Sequence, residues 1–575
     1  MLNIKKIWNL FSPKGKNKFF VMVFMFFLLS ILEILSIATI IPFVTAIFSP
    51  KTLSSINFLS PFLNFIEVYN EIILYIFCGI FFSIFLFKNI FFLWIIKNIH
   101  KYVYDFKAEI SKRLLTKYFY QNYEYFLKNP QGKLTNYLIY EVHVISERYL
   151  LSLLIILSEV MIVISLVFLL LINKEFEIIW VIIPILFLTI YILKFINQKI
   201  KKWANERINI GTQNSDLIQR IFLGIRDIYF SNSGNYIIKK FHNLALKQSN
   251  IDTGNAFFAN VPRALLEVVG IISLLLLVTY LKIQNFNNTE ILTNLTFYFA
   301  VAYRMIPSFN KLLTQYQRIK YSKNSVDHLS NILALPNQRI ISLNEINKIN
   351  FREIKLENYN FSYGENENIL SNVNFEIKKG EIVGIFGDSG SGKSTLLNLI
   401  CLLLKSNNGN FYFNGEIVNN EFEIKKIQEV ITFVSQDTFL LDDSIKNNII
   451  FHNNDGFNLE KFNYSIKFSH LDDLINSVQD SADYKIGSNS HKISSGQKQR
   501  IALARAIYNL RQILILDEAT NALDEKTEKN IINNIQKLKK QTSIILVSHN
   551  RNNLAICDKV YLVKNNKLEL VENTI

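Results

Sequence analysis

The fold of this chain is decided by one octapeptide, Gly387-Asp388-Ser389-Gly390-Ser391-Gly392-Lys393-Ser394. It follows the apolar run Ile382–Phe386, which predicts a strand, and it precedes the apolar run Leu396–Leu404, which predicts a helix. This strand–loop–helix order is the context that a phosphate-binding P-loop requires. Glycines let backbone N–H groups turn towards phosphate oxygens, and the helix N-terminus adds partial positive charge. We therefore expect a bound nucleotide, with Lys393 on its β- and γ-phosphates and the Ser394 hydroxyl on Mg²⁺.

Composition divides the chain into an apolar N-terminal part and a mixed C-terminal part. Of 575 residues, 50% are hydrophobic, and long runs nearly free of charge lie before about residue 310. The net charge of +15 is compatible with nucleic-acid binding, but the basic residues gather on one side of the apolar runs, which favours a membrane protein. The three cysteines form no CxxC pair, so neither a disulfide framework nor a zinc site is expected. The first apolar run is too long for a cleavable signal peptide.

Six apolar stretches are long enough, or nearly so, to cross a bilayer. They are residues 19–48, 72–96, 150–172, 178–196, 256–282 and 289–309. The short connections between them carry Lys51, Lys174 and Lys282, whereas the segment 97–148 alone carries nine lysines and arginines. The positive-inside rule therefore places the N-terminus, both long loops and everything after residue 310 in the cytoplasm.

Both long loops keep the three- and four-residue apolar spacing of helices that extend from the membrane. Breaks are predicted at Asn122–Phe126 and Gly224–Asp227, where short helices would face a cytoplasmic partner domain. The connection 51–71 fits an amphipathic helix on the outer membrane surface and fits a packed loop equally well.

From about Asn350 the chain alternates predicted strands and helices, as in an α/β nucleotide-binding domain. This segment resembles the ATPase domain of ABC transporters, and its motifs occur in the order of that family. In chain order they are Phe361-Ser362-Tyr363-Gly364 (adenine-stacking aromatic), Val434-Ser435-Gln436-Asp437 (Q-loop), Ile513–Glu518 (Walker B), Asn521-Ala522-Leu523-Asp524 (D-loop) and His549 (switch histidine).

The resemblance implies a role for each matching residue. The expected ATP-binding residues are Tyr363, Gly387, Asp388, Ser389, Gly390, Ser391, Gly392, Lys393, Ser394, Thr395 and Gln436. The expected Mg²⁺ ligands are Ser394, Gln436 and Asp517. Glu518 would polarise the attacking water, with His549 as the second catalytic residue and Asp524 in the D-loop.

Ile493-Ser494-Ser495-Gly496-Gln497 stands where that family has its signature Leu-Ser-Gly-Gly-Gln. In the family this loop completes the ATP site of a second copy, so Ser494, Ser495, Gly496 and Gln497 are expected to contact the partner's nucleotide. Ser495 replaces a glycine, and its hydroxyl would either add a hydrogen bond or crowd the γ-phosphate. The preceding segment 487–491 lacks the acid and glycine usual in exporters of this kind.

The resemblance implies a half-transporter of the type IV exporter class that works as a homodimer. The expected fold is a membrane α-helical bundle of six transmembrane helices followed by a C-terminal α/β P-loop ATPase domain. The predicted domains are residues 1–325 (membrane), 326–349 (linker) and 350–575 (ATPase). The implied cofactors are ATP and Mg²⁺, and the implied location is the bacterial cytoplasmic (inner) membrane. A nucleic-acid ATPase is the competing class, and the six apolar stretches argue against it.

Three cations lie inside the apolar stretches, where charge is costly and therefore usually functional. They are Lys88, Arg263 and Arg304. Each could pair internally, Arg263 with Glu267 four residues on and the others with Glu33 or Glu159. Alternatively they could line a cavity for an anionic, lipid-linked substrate.

The membrane part also resembles the PglK-type flippases of lipid-linked oligosaccharides. The resembling patches are Leu32-Glu33-Ile34, Ile41-Pro42-Phe43, Asn122–Phe126, Val261-Pro262-Arg263 with Glu267, and Ala302–Ser308. This implies transport of a polyprenyl-diphosphate glycan, with membrane lipids as surroundings. A general lipid, drug or peptide exporter of the same architecture is the alternative.

Overall fold

The computed structural model describes residues 4–40, 70–172, 179–283, 288–339, 349–363, 368–451, 456–487 and 492–571. The chain forms two compact units. The first comprises Met1–Tyr118 and Lys128–Pro336, and the second comprises Phe119–Leu127 and Asn337–Ile575. The predicted external helix within 51–71, the patch Ile41-Pro42-Phe43 and residues 488–491 lie wholly or almost wholly outside the described residues.

The first unit is helical. Its helices are α1 (Ile4–Leu10), α2 (Pro13–Ala38), α3 (Asn70–Phe119), α5 (Gln131–Asn136), the π-helical turns Tyr137–Glu141 and Val144–Leu150, α6 (Leu151–Ile172), α7 (Ile179–Leu223), α8 (Ile225–Phe230), α9 (Gly234–Ile283) and α10 (Asn288–Ala334). A further short helix, α4 (Tyr123–Lys128), follows α3 and falls almost entirely in the second unit. Both predicted breaks are confirmed, since α3 ends before Asn122 and Gly224 separates α7 from α8.

Local sequence explains where α2 begins. The Ser12 hydroxyl accepts a hydrogen bond from the Gly15 N–H, and Pro13 occupies the first helical position, where its missing N–H costs nothing. Along the helix, Phe20, Phe24 and Phe27 are exposed. Rows of exposed aromatic rings suit contact with lipid chains rather than with water.

Four helices among the described residues are long and apolar enough to cross a membrane. They are Pro13–Ala38, Cys78–Phe119, Gln131–Leu170 and Gly234–Tyr280. They contain most of the second, third and fifth predicted stretches and about two thirds of the first. The other two stretches lie in α7 and α10, and for these the crossing of a membrane stays a prediction.

A buried ion pair joins α7 and α10 to the π-helical turn Tyr137–Glu141. Arg207 of α7 donates to both carboxylate oxygens of Glu141 at 3.1 and 3.0 Å, and to the Ser325 hydroxyl of α10 at 2.8 Å. Both charged side chains are buried. A buried charge is tolerated only when it is paired and hydrogen-bonded, and the two-pronged geometry satisfies both conditions.

The second unit contains two sheets. The strands are β1 (Glu353–Phe361), β2 (Leu370–Lys378), β3 (Ile382–Gly387), β4 (Asn408–Phe413), β5 (Glu416–Ile417), β6 (Ile431–Val434), β7 (Ile513–Asp517), β8 (Ser543–Val547), β9 (Lys559–Lys564) and β10 (Lys567–Val571). An antiparallel sheet has the order β2-β1-β4-β5, and a larger sheet has the order β10-β9-β3-β8-β7-β6. In the larger sheet all neighbouring strands are parallel except β10 and β9.

The helices of this unit connect and cover the strands. They are α11 (Lys393–Ile400), α12 (Glu421–Gln428), α13 (Ile445–Ile450), α14 (Leu459–Phe468), α15 (Asp472–Ser477), α16 (Ser495–Tyr508) and α17 (Glu525–Leu538). Every residue of β7 and β8 is buried, as expected for parallel strands covered on both faces. Because these strands are parallel, their carboxyl ends meet at one edge of the sheet, which is where ligands bind in such folds.

The short helix α4 also packs within the second unit. The Tyr120 carbonyl just before it accepts hydrogen bonds from the N–H groups of Gln338 and Arg339, at 2.8 and 3.1 Å. Asn122 and Tyr123 line a cleft together with side chains that follow α11 and lie on α12, namely Leu402, Leu403 and Ile424. A segment between two membrane helices is thus held by the α/β unit.

Candidate functional sites

The loop between β3 and α11 is shaped to hold phosphate. Gly390 and Gly392 have φ of +81° and +104°, a left-handed conformation that residues with a side chain rarely adopt. The ammonium of Lys393 is buried and donates to the carbonyls of Gly387 and Asp388, at 2.8 and 3.0 Å. A buried cation whose hydrogen bonds go only to carbonyls is suited to an incoming anion. The predicted phosphate-binding residues therefore form a loop that fits a polyphosphate.

Two adjacent carboxylates, Asp517 and Glu518, end β7, and both are buried. Burial, and then the charge of Glu518, raise the pKa of Asp517 to about 6, although the nearby Lys393 acts in the opposite direction. A divalent cation would offset this concentration of negative charge. Among the described residues there is no cluster of three or more His, Cys, Asp or Glu side chains able to hold a metal. Mg²⁺ fits such a site, because it commonly takes one or two carboxylates and completes its shell with phosphate and water oxygens.

The carboxylate of Glu518 is held by side chains that follow three different strands. One oxygen lies 2.7 Å from His549 Nε2, which follows β8. The other accepts hydrogen bonds from Gln436 after β6 and from Asn521 after β7, each at 2.8 Å. Glu518 itself has a φ of +51°, an uncommon conformation for a residue with a side chain. The structure thus brings together the predicted Gln436, Glu518 and His549, and it fixes the carboxylate in an orientation in which it can accept a proton.

The signature segment forms the start of α16. The Ser494 hydroxyl accepts from the Gln497 N–H, and the Gln497 side chain accepts from the Ser494 N–H, which makes a reciprocal capping box. This arrangement presents the exposed Ser495 at the first turn of the helix.

The α16 helix packs closely on the loop that follows β7. A Cβ at Gly496 would lie 2.8 Å from the Ala522 carbonyl oxygen, so only glycine fits there. Gln499 accepts a hydrogen bond from the Ala522 N–H at 3.0 Å and donates to the Glu518 carbonyl at 3.4 Å. Asp524 ends the same loop and caps α17 by accepting from the Thr527 N–H, which lowers the pKa of its carboxyl group.

The ring of Tyr363 lies near the phosphate loop. Its hydroxyl is 3.4 Å from the Thr395 hydroxyl, and Phe361 packs edge-to-face against it with ring centroids 4.9 Å apart. About half of the Tyr363 side chain is exposed. An open aromatic face beside a phosphate loop can stack on a nucleotide base.

In the helical unit, two of the three predicted cations form an ion cluster with the buried Glu33 of α2. Lys88 of α3 lies 3.4 Å from one carboxylate oxygen of Glu33, and Arg304 of α10 contacts the other. Arg304 also lies 3.7 Å from the carboxylate of Glu159 on α6. These contacts link four helices through paired charges.

The third predicted cation, Arg263, is separate from this cluster. It pairs with Glu267 on the same exposed face of α9 at 3.0 Å. Sequence reasoning missed Ser308 and Lys311, which contact Glu159 at 2.7 Å each. Ser308 and Lys311 follow Arg304 by four and seven residues, a spacing that places all three on one face of a helix. This spacing could have indicated that they belong to the same cluster.

Comparisons with known proteins agree with this geometry. A family model described as ABC transporter matches residues 370–521, and one described as ABC transporter transmembrane region matches residues 19–305. Because the two together cover most of the chain, this protein belongs to the ABC transporters. It joins an ABC transporter transmembrane region and a C-terminal ABC ATPase domain in one chain.

The curated relatives named below align with part of this chain. A probable ABC transporter ATP-binding/permease protein of Haemophilus influenzae is 37% identical over 37% of this chain and 38% of the relative. An ATP-dependent lipid A-core flippase of Pectobacterium atrosepticum is 31% identical over 46% of this chain and 45% of the relative. The chain thus spans less than half the length of these curated relatives. The solved structure of a bacterial Atm1-family ABC exporter with ATP bound has a TM-score of 0.79, covering 96% of this chain and 94% of that chain; at 17% identity, the likeness concerns the fold.

The raised pKa of Asp517 predicts that its charge weakens the nucleotide-free fold. A carboxyl group whose folded-state pKa is raised destabilises the protein progressively as pH rises from about 4 to about 6, and fully above that. Asp517→Asn should therefore stabilise the protein at pH 7.5 by about 1–2 kcal/mol. Thermal unfolding without nucleotide and Mg²⁺ measures this, and the difference should shrink at pH 5. Equal unfolding temperatures of the wild type and Asp517→Asn at pH 7.5 would contradict the prediction.

Proposed function

We propose that the protein hydrolyses ATP and uses the energy to export a lipid-linked substrate. The observation that carries the ATPase proposal is the Glu518 carboxylate, oriented by His549, Gln436 and Asn521 at the edge of the sheet that also holds the phosphate loop. In this proposal Glu518 accepts the proton of the attacking water, and Lys393 stabilises the charge of the phosphates. Asp517, Ser394 and Gln436 would hold Mg²⁺, which would supply electrostatic stabilisation of the transferred group.

We further propose that two copies act together. Ser494, Ser495, Gly496 and Gln497 begin a helix of the same chain that packs on the loop after Glu518, and they complete the ATP site of the second copy. A separate observation supports a partner. The residues around α8 form an exposed apolar surface, with Phe222, Leu223, Tyr229 and Phe230 each 71–83% exposed.

The two short helices α4 and α8 differ in their surroundings, and this difference supports a second copy as the occupant of the surface around α8. The α4 segment packs within the α/β unit of its own chain. An equivalent α/β surface on a second copy would cover the apolar residues around α8, because exposed patches of this kind commonly mark protein interfaces. The proposed assembly is therefore a homodimer in the bacterial cytoplasmic (inner) membrane with its ATPase domains in the cytoplasm.

The substrate we favour is a polyprenyl-diphosphate-linked oligosaccharide. The ion cluster supports an anionic group, since Lys88 and Arg304 lie inside the helical unit where charge is costly without a function. The relatives that are lipid A-core flippases support a lipid substrate. Arg263 is a proposed contact of the same substrate outside the cluster. A general lipid, drug or peptide exporter remains the second candidate, and it would need no cationic contact.

Replacing the proposed base tests the ATPase. Glu518→Gln removes the proton acceptor while keeping the length of the side chain and one accepting oxygen, so ATP turnover should fall by about 10²-fold or more. ATP binding should persist, because the phosphate loop is unchanged. Phosphate release and binding of labelled ATP measure the two effects, with Glu569→Gln on the exposed face of β10 as the control. Full turnover by Glu518→Gln would remove Glu518 from the mechanism.

Cross-linking tests the dimer. In a background of Cys78→Ser, because Cys78 is the exposed cysteine, Ser391→Cys and Ser495→Cys should form a disulfide between two copies when ATP is bound. Disulfides require Cα atoms within about 7 Å, which a closed dimer provides and separate copies do not. Non-reducing electrophoresis shows the product, and each single variant is the control. A disulfide that forms within one chain would refute the shared site.

Stimulation of hydrolysis tests the substrate. A polyprenyl-diphosphate sugar should stimulate the ATPase in lipid nanodiscs, and Lys88→Gln/Arg304→Gln should lose this stimulation because it loses the anion-binding charges. The matched control is Lys202→Gln/Arg220→Gln, which removes two cations from exposed pairs on α7. Equal stimulation by a neutral drug-like amphiphile and by the diphosphate lipid would favour the second candidate.

A further inference from the structure

The ion cluster contains five charged side chains, and its two carboxylates are the most deeply buried members. Glu33 and Glu159 are each 4% exposed, whereas the Lys311 side chain is 42% exposed. Lys88 and Arg304 lie between these extremes. The two carboxylates therefore lie deeper in the helical unit than the cations, which are closer to its surface.

Counted over the described residues, the cluster has one more positive than negative charge. Its three cations, Lys88, Arg304 and Lys311, share two carboxylates. Of the two carboxylates, Glu33 has the closer contacts with the predicted substrate residues. One of its oxygens contacts Lys88 and the other contacts Arg304. Glu159 instead holds Lys311 and accepts from the Ser308 hydroxyl at 2.7 Å.

The two cations of Glu33 have few other strong partners among the contacts of the described residues. Lys88 lies 3.5 Å from the Ser36 hydroxyl and 4.6 Å from the centre of the Phe85 ring. Arg304 donates to the Ser308 hydroxyl at 3.2 Å. Without Glu33, Lys88 would need another anion and Arg304 would keep only the more distant Glu159 carboxylate at 3.7 Å, because a buried unpaired charge is strongly unfavourable.

We propose that Glu33 is an internal counter-anion that competes with the anionic group of the transported lipid for Lys88 and Arg304. This inference rests on the proposed function. It assigns to Glu33 the role of limiting the affinity of the proposed site for the transported lipid. When a phosphate or diphosphate group binds, Lys88 and Arg304 exchange Glu33 for the substrate's oxygens. When the substrate leaves, Glu33 takes Lys88 and Arg304 back, so neither of these two cations loses its anionic partner.

The exchange also couples binding to helix packing. Glu33 lies on α2, Lys88 on α3 and Arg304 on α10, so the pairs of Glu33 hold three helices together. A substrate that takes both cations weakens the attachment of α2 to the other two helices. A ligand that breaks contacts present in only one conformation shifts the population towards the other.

Neutralising Glu33 tests the competition. Glu33→Gln should bind a long-chain polyprenyl diphosphate about tenfold more tightly than the wild type, since each cation then lacks its competing carboxylate. Binding of the labelled diphosphate lipid to full-length protein in nanodiscs measures this, with the corresponding polyprenol as the neutral probe. Affinity for the polyprenol should not change. The matched control is Glu206→Gln, which removes a carboxylate from the exposed Lys202 pair on α7.

A second comparison covers the case in which Glu33→Gln fails to fold. Lys88→Gln/Glu33→Gln keeps the net charge of the cluster, and it should bind the diphosphate more tightly than Lys88→Gln alone because Arg304 is released. Unchanged or weaker binding in both comparisons would overturn the competition. If the wild type binds the diphosphate no better than the polyprenol, the proposed substrate fails instead, which is a separate result.

Discussion

The ATP site depends on the parallel pairing of β6, β7 and β8. Leu516 pairs with Val434 on one side and Asp517 pairs with Val547 on the other, so the three strands end at the same level. The residues that follow them, Gln436, Glu518 and His549, are more than 30 positions apart in sequence, yet they meet around one carboxylate. A shift of one residue in either pairing would turn side chains to the opposite face of the sheet and dismantle the site. Burial on both faces fixes this register.

The helical unit obeys a related constraint, which is that charge inside it must be compensated. Arg207 and Glu141 balance each other's charge, with two hydrogen bonds between them and a third from Arg207 to a hydroxyl on another helix. The cluster around Glu33 and Glu159 is compensated only in part, because in the described part of the chain it contains one more cation than carboxylate. The first arrangement is that of a structural joint, since breaking it would strand two buried charges. The second retains capacity for an additional anion, and we therefore place the proposed substrate there.

Much of this architecture could be predicted from the sequence because it depends on local patterns. The phosphate loop, the long helices and the breaks before Tyr123 and at Gly224 follow from spacing and from glycine. The partners of Lys88 and Arg304 could not be predicted from the sequence, because they lie on helices distant in sequence. Pairing with Glu33 or Glu159 was one of two alternatives that the sequence left open. The positive φ of Glu518 and the contacts of Gln499 and Asn521 were also missed. These arise from tertiary packing around one carboxylate, which residue spacing does not encode.

The close approach of Gly496 to the Ala522 carbonyl has a consequence for how two active sites would communicate. With Gln499 hydrogen-bonded to the same loop and to the Glu518 carbonyl, the start of α16 packs directly against the backbone next to the proposed general base. In a homodimer, the helix end that senses the neighbour's triphosphate would then be rigidly connected to the hydrolytic centre of its own subunit. Nucleotide binding at one ATP site would then affect the geometry of the other site. Hydrolysis at the two sites would therefore be kinetically coupled and not independent.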